Sequence, residues 1–124
     1  NKIKKKRIAF LGVTFKANTD DMRDSSSLSM IPALIKRGAR IKYYDPSGEK
    51  NEFSKMKNVL YCNNISEACF NADLIIIHTE WDEFKTINFK KISKNKNFKI
   101  FDMRNLYSVN LMKKKGFKYF SIGR

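Results

Sequence analysis

Along this chain short apolar runs alternate with stretches whose apolar positions recur at helical spacing. Residues 7–13, Arg-Ile-Ala-Phe-Leu-Gly-Val, form an apolar run closed by glycine, as in a strand buried on both faces. From Ser25 the period changes. Leu28, Ile31, Leu34 and Ile35 fall on one helical face, Ser25, Ser26 and Ser27 are candidate N-caps, and Gly38 stands where a helix-ending glycine is expected. Residues 40–44 read as a second strand, stopped by the turn Asp45-Pro46-Ser47-Gly48 because proline and glycine end pairing.

The remainder continues the alternation. Residues 59–61 read as a short strand, 65–70 as a short helix, and 74–78, Leu-Ile-Ile-Ile-His, as the strongest strand of the chain. Residues 81–92 carry helical turns, 98–101 a strand, 106–115 a helix and 117–120 a last strand. Such an order predicts an α/β fold of the doubly wound, Rossmann-like kind. Its sheet should be mostly parallel, of about five or six strands, with helices on both faces, because right-handed crossovers cover each face in turn.

Composition narrows the picture. At 124 residues the chain has the length of one domain, and 42% hydrophobic with 13% aromatic residues supports a packed core despite 31% charged. The formal charge of +14 raises three possibilities: a diffuse solvated surface, a basic rim serving an anionic small ligand, or nucleic-acid binding. Lysines spread from Lys2 to Lys118 rather than clustering on one predicted element, which favours the first and ranks nucleic acid last. Cys62 and Cys69 form no CxxC pair and have no histidine cluster nearby in sequence, so neither a zinc site nor a redox motif is expected; both read as buried, reduced thiols. No apolar run is long enough to span a membrane and the basic start lacks a signal-peptide core, which points to the cytoplasm, while residues 1–6 read as the continuation of something longer.

In open parallel sheets ligands bind beyond the carboxyl ends of the strands, so three clusters carry the candidate chemistry. The first is the polar stretch 12–25. With one glycine it is not a GxGxxG fingerprint, but it offers Lys16 and Arg23 as cations and Asp20, Asp21 and Asp24 to hold them, followed by a helix N-terminus that could add donors for an anion. The bland alternative is a loop whose charges pair among themselves and whose serines only cap the helix. The second cluster is His78-Thr79-Glu80-Trp81-Asp82-Glu83-Phe84. His78, the only histidine, is expected to be packed rather than a general base, and Trp81 and Phe84 either pack under the helix they begin or, for Trp81, flank a nucleotide pocket. The third is Phe101-Asp102-Met103-Arg104-Asn105, where Arg104 is either a phosphate or ribose ligand or a surface arginine held by Asp102.

Taken together these motifs resemble one family. Gly12-Val13-Thr14-Phe15-Lys16, Thr19-Asp20-Asp21-Met22-Arg23-Asp24-Ser25, Gly38-Ala39, Tyr44-Asp45-Pro46, Ala72-Asp73, Thr79-Glu80-Trp81-Asp82-Glu83-Phe84 and Phe101-Asp102-Met103-Arg104-Asn105 occur in the order seen in the C-terminal domain of the UDP-glucose/GDP-mannose dehydrogenases, with the glucose-oxidising members nearest. The resemblance implies an NAD-dependent oxidoreductase in which an N-terminal domain holds NAD, a catalytic cysteine lies near a central helical dimerisation region, and this domain closes over the UDP-sugar. It implies two oxidations at the sugar C6 through a thiohemiacetal and a thioester, a homo-oligomeric full-length enzyme, and no membrane or nucleic-acid partner. By the same resemblance Phe15, Lys16 and Arg104 meet the nucleotide sugar and Arg23 reaches toward NAD. Neither Cys62 nor Cys69 lies in the glycine-rich setting of the family's nucleophile, so residues 1–124 are expected to be a single C-terminal nucleotide-sugar-binding domain, inactive alone. The rival expectations are a GDP-mannose or UDP-N-acetylhexosamine dehydrogenase and a stand-alone nucleotide-binding module.

Overall fold

The computed structural model describes residues 2–123. Its strands are β1 (Arg7–Leu11), β2 (Arg40–Tyr44), β3 (Val59–Tyr61), β4 (Leu74–Ile77), β5 (Lys99–Asp102) and β6 (Lys118–Ser121). The helices are α1 (Ser27–Lys36), α2 (Ile65–Cys69), α3 (Phe89–Ile92) and α4 (Val109–Lys114), with a 3-10 turn over Asp82–Phe84. The strands form one sheet in the order β3-β2-β1-β4-β5-β6, and every pairing is parallel. The chain therefore starts in the middle, winds outward to β3, and crosses back past β1 to wind the other way, which leaves a switch point between β1 and β4.

Alternation along the central strands explains the two layers. Ala9, Leu11, Ile75, Ile77 and Ile100 point to one face, where Ala68 and Cys69 of α2, Phe84, Phe89 of α3 and Met112 of α4 cover them. Ile8, Phe10, Ile41 and Ile76 point to the other, under Ile31 of α1 together with Met22 and Phe53. Each of the Leu, Ile, Phe and Met side chains among them contributes on the order of 1.5–3 kcal/mol by leaving water. Cys62 and Cys69 are free and buried in the first layer, as the sequence suggested for structural thiols.

Helix α1 ends as its sequence predicts. Gly38 takes a φ of +95°, and the amides of Gly38 and Ala39 return to the carbonyls of Ile35 and Leu34, which closes the last turn in the manner of a Schellman cap. Two helical expectations change in extent. The turns expected over 81–92 separate into the 3-10 turn and α3, because the Asn88 side chain accepts from the Lys91 amide and starts a new helix. The helix expected from residue 106 starts at Val109 with Ser108 as its cap, since the amides of Leu106 and Tyr107 bind the Asp102 carboxylate instead.

Candidate functional site

The carboxyl ends of β1, β2, β4 and β5 converge on the segment 12–16. Gly12 makes the first contact possible: its φ is +80°, and a Cβ there would lie 2.5 Å from the Cβ of Thr79. No other residue type lets β1 leave the sheet so close to the end of β4. Beyond Gly12 the backbone is held on both sides. The Asp45 carboxylate accepts from the amides of Val13 (2.8 Å) and Thr14 (3.2 Å), and the Phe15 amide donates to the carbonyl of Asp21 (3.1 Å).

The carbonyls are held as well, four in succession. The hydroxyls of Ser25 and Ser27 each lie 2.6 Å from the Val13 carbonyl, Thr79 Oγ1 donates to Thr14 (2.8 Å), Arg104 Nη2 donates to Phe15 (2.7 Å), and Thr14 Oγ1 donates to Lys16 (2.9 Å). With its backbone engaged, the loop presents two side chains outward. Phe15 is 47% exposed, unusual for a phenylalanine, and Lys16 is exposed with no ion pair among the described residues.

Of the three serines the sequence suggested as caps, Ser25 alone accepts from a helix amide, that of Ser27 at 3.3 Å. Ser26 occupies the N-cap position in helical conformation without a side-chain cap bond. Its hydroxyl instead lies 2.8 Å from His78 Nε2, while Ser25 and Ser27 turn to Val13. The first amides of α1 are also occupied: Ser27 donates to Ser25 Oγ, Leu28 to the Ser25 carbonyl and Ser29 to the Ser26 carbonyl. The anion-binding helix N-terminus expected there is therefore replaced by internal bonds.

His78 is 1% exposed and belongs to this lattice, not to an open catalytic position. Its Nδ1 lies 3.0 Å from Thr79 Oγ1. Because that hydroxyl gives its proton to the Thr14 carbonyl, it accepts from His78, which places the ring proton on Nδ1 and makes Nε2 the acceptor for Ser26. Burial, with the nearby Arg104 guanidinium, pulls the imidazole down to about 4, so it is neutral at physiological pH.

Arg104 follows neither sequence alternative in full. Asp102 does not hold the guanidinium, because its carboxylate already accepts from the amides of Arg104, Leu106 and Tyr107 and from the Tyr119 hydroxyl. The guanidinium swings across the switch point and donates from Nε to the His78 carbonyl (3.0 Å) and from Nη2 to Phe15. Arg23 stands apart. Its side chain is 88% exposed and forms a two-pronged pair with Asp21, which holds the Asp21 carboxyl at about 2. Of the three aspartates expected to steady the cations, Asp21 is the one bonded to Arg23.

Phe84 is fully buried, and Trp81 packs against the same layer with its Nε1 buried and without an acceptor, so the core reading of both is the observed one. Asp45 and Asp102, both fully buried, organise the loops by accepting from their amides, a role beyond the turn and the arginine partner that the sequence suggested for them. Part of the signal was present: an aspartate at the last position of a strand or just after it favours bonds to amides a few positions on, as Asp45 makes to Ser47 and Asp102 to Arg104, Leu106 and Tyr107.

An open polar concavity of about 410 Å³ lies beside this loop, between Asp20, Asp21 and Arg23 on one side and Ser47, Lys50 and Glu52 on the other. At the amino end of the sheet one concavity, of about 390 Å³, is of similar size and another, of about 720 Å³, is larger, but both are formed by strand starts, the larger one with lysines such as Lys99 and Lys118. Size does not distinguish the ends of the sheet; the convergence of held loops and outward side chains does. A dinucleotide does not fit the first turn, whose single glycine is packed on Thr79 and whose next two amides are taken by Asp45. No helix among the described residues is long and apolar enough to cross a membrane.

Comparison with known proteins gives the family and the fold. Residues 9–109 match the model of the UDP-glucose/GDP-mannose dehydrogenase family, UDP binding domain. The chain is 40% identical over 124 residues to a UDP-glucose 6-dehydrogenase of Rickettsia felis and 42% identical over 123 residues to one of Rhizobium meliloti, in each case over 98% of this chain and 28% of the relative. The chain thus spans little more than a quarter of these relatives. Among solved structures, an NDP-N-acetyl-D-galactosaminuronic acid dehydrogenase from Methanosarcina mazei superposes with a TM-score of 0.84 at 27% identity, over 99% of this chain and 26% of that one.

Proposed function

The chain belongs to the UDP-glucose/GDP-mannose dehydrogenase family, as its UDP-binding domain, and from this premise we propose that it serves an NAD-dependent UDP-glucose 6-dehydrogenase. In that enzyme UDP-glucose is oxidised twice at C6 to UDP-glucuronate. The observation that carries the reading is the backbone of residues 13–16, whose four carbonyls and first three amides are engaged, leaving the side chains of Phe15 and Lys16 exposed beside the switch point. Lys16 supplies the charge for the diphosphate and Phe15 an apolar face for the nucleoside or sugar. Arg104 fixes the loop while bordering the same crevice, and an arginine is suited to a diphosphate because its planar fork offers several donors at once.

NAD, the hydride acceptor, is held in this reading by a separate N-terminal domain, with Arg23 reaching toward it from the exposed rim. The catalytic cysteine and the dimer contact lie in a central region, and the working enzyme is a cytoplasmic homo-oligomer. This domain binds and orients the sugar nucleotide and keeps water from the reacting carbon; alone it does not turn over. Neither of its thiols is a nucleophile, since burial raises the Cys62 thiol and pushes Cys69 up to about 12.

A second reading, oxidation of another sugar nucleotide such as GDP-mannose or a UDP-N-acetylhexosamine, is favoured by the Methanosarcina neighbour. The experiment is direct: full-length enzyme is assayed for NADH production with each sugar nucleotide. UDP-glucose is expected to give the highest kcat/KM, and no NADH from UDP-glucose would remove the first reading.

A further inference from the structure

In a doubly wound domain that binds a dinucleotide, the amides of the first turn face the pyrophosphate, and an acidic residue farther along the chain takes the ribose hydroxyls. Here Asp45, just beyond β2, is fully buried and turned inward. Its Oδ2 accepts from the amides of Val13 and Thr14, and its Oδ1 accepts from the amide (2.9 Å) and hydroxyl (2.5 Å) of Ser47. Behind it stands a counter-charge: Lys50, 5% exposed, donates from Nζ to Ser47 Oγ at 2.6 Å. A chain of bonds thus runs from a buried ammonium through one hydroxyl to a buried carboxylate and on to two consecutive loop amides.

We propose that Asp45 is a positioning residue that fixes the specificity of the crevice, by supplying from within the protein the anion that the first-turn amides would otherwise take from a ligand. Two consequences follow from the geometry. An incoming diphosphate finds these donors occupied and a negative charge behind them, so it is turned away from the site where a dinucleotide's pyrophosphate would lie. The same carboxylate, by holding the Val13 and Thr14 amides, sets the direction in which the next two residues project. The side chains of Phe15 and Lys16 then meet the ligand in place of the turn's backbone. Asp45 itself touches no substrate; it acts through Lys16.

The inference rests on the UDP-sugar reading of the crevice, and the test separates the two. In the full-length enzyme, UDP affinity is measured by calorimetry and steady-state constants are measured for UDP-glucose and NAD, in wild type, Asp45→Asn, Lys16→Ala and the double variant. Asparagine keeps the volume, removes the charge and places an amide donor against amide donors. The expected result is a rise of about tenfold or more in the UDP Kd and in KM for UDP-glucose. The kcat should stay within about threefold and KM for NAD should not change. Because Asp45 acts through Lys16, the effect should shrink to about twofold in the Lys16→Ala background, whereas general loosening of the fold would persist there in full. Should Asp45→Asn fail to fold, Ser47→Ala removes the two bonds of the chain that pass through the hydroxyl and is expected to raise the UDP Kd about threefold, again only while Lys16 is present. Wild type that fails to bind UDP overturns the functional reading, and this inference with it. Wild type that binds, with a folded Asp45→Asn or Ser47→Ala variant whose UDP Kd is unchanged or whose effect is the same without Lys16, overturns the inference alone.

Discussion

Arg104 Nη2 and the carbonyl of Phe15 lie 2.7 Å apart although 89 positions separate them in the chain. The loop after β5 thereby holds the loop after β1, and the second donor, Nε on the His78 carbonyl, ties both to the end of β4. A lysine cannot span the two carbonyls, so Arg104→Lys should behave much like Arg104→Ala. Each should weaken UDP-sugar use by about 1.5–3 kcal/mol, the range for hydrogen bonds to charged groups. Lys16→Ala should cost a similar amount in kcat/KM without lowering Tm, since its side chain is exposed and supports nothing else. Steady-state kinetics with thermal melts checks both, and unchanged kinetics in Lys16→Ala and Arg104→Ala would remove the crevice as drawn.

Gly12 is a steric prediction. A methyl there meets Thr79 at 2.5 Å and is built on a backbone with φ of +80°. Gly12→Ala should therefore lose about 2–5 kcal/mol from overpacking and left-handed strain together. Denaturant unfolding measures it; a loss below about 1 kcal/mol would mean that β1 and β4 part more easily than their packing implies.

His78 predicts a pH dependence of stability whose sign can be worked out. Folded, its imidazole titrates at about 4; unfolded, near 6.5. Between these values the unfolded chain takes up a proton that the folded chain refuses, so stability falls as pH drops from 6.5 towards 4 and is unaffected by this group above that window. The total is on the order of 3 kcal/mol. The Asp21 carboxyl, held at about 2 by Arg23, contributes only at lower pH, below its ordinary 3.8. Unfolding midpoints measured from pH 7 to 4 should show the slope in wild type and lose most of it in His78→Gln; an equal slope in both would contradict the assignment.

The thiols give a chemical prediction. With Cys62 and Cys69 buried and both raised by burial, iodoacetamide at neutral pH should label neither in the folded protein. Full-length enzyme carrying Cys62→Ala and Cys69→Ala should keep its kcat within about threefold, because both side chains sit in the core and not at the crevice. Loss of turnover in a folded double variant would show that one of them takes part in the reaction.

Much of the architecture was legible because it rests on local pattern. The run Leu74-Ile75-Ile76-Ile77 can only be a strand covered on both faces, and Gly38 marks the end of α1 by its position alone. The site was legible as residue types, not as bonds. Lys16, Arg23 and Arg104 follow strand ends and could be singled out as cations, while Phe15, and the role expected of each of the four, came from the family motifs alone. That Ser25 and Ser27 turn to Val13, that Asp45 reaches back 32 positions to the same residue, and that Arg104 passes over Asp102 for two carbonyls depends on which strand ends lie side by side. Hydrophobic periodicity orders each element along its own axis and says little about its neighbours in the sheet. The capping expectation held only in part for this reason: the Ser26 and Ser27 hydroxyls bond to His78 and Val13, far along the chain, and Ser25 Oγ is shared between Val13 and the Ser27 amide.

The central claim is that the sugar nucleotide lies against the loops after β1 and β5. Amide hydrogen exchange of the full-length enzyme with and without UDP-glucose tests it most directly. Exchange is expected to slow on binding in peptides covering residues 13–25 and 102–106, with little change at the amino end of the sheet around residues 57–60 and 95–99. Protection confined to domains outside this chain, with residues 13–25 and 102–106 exchanging as in the free enzyme, would contradict it.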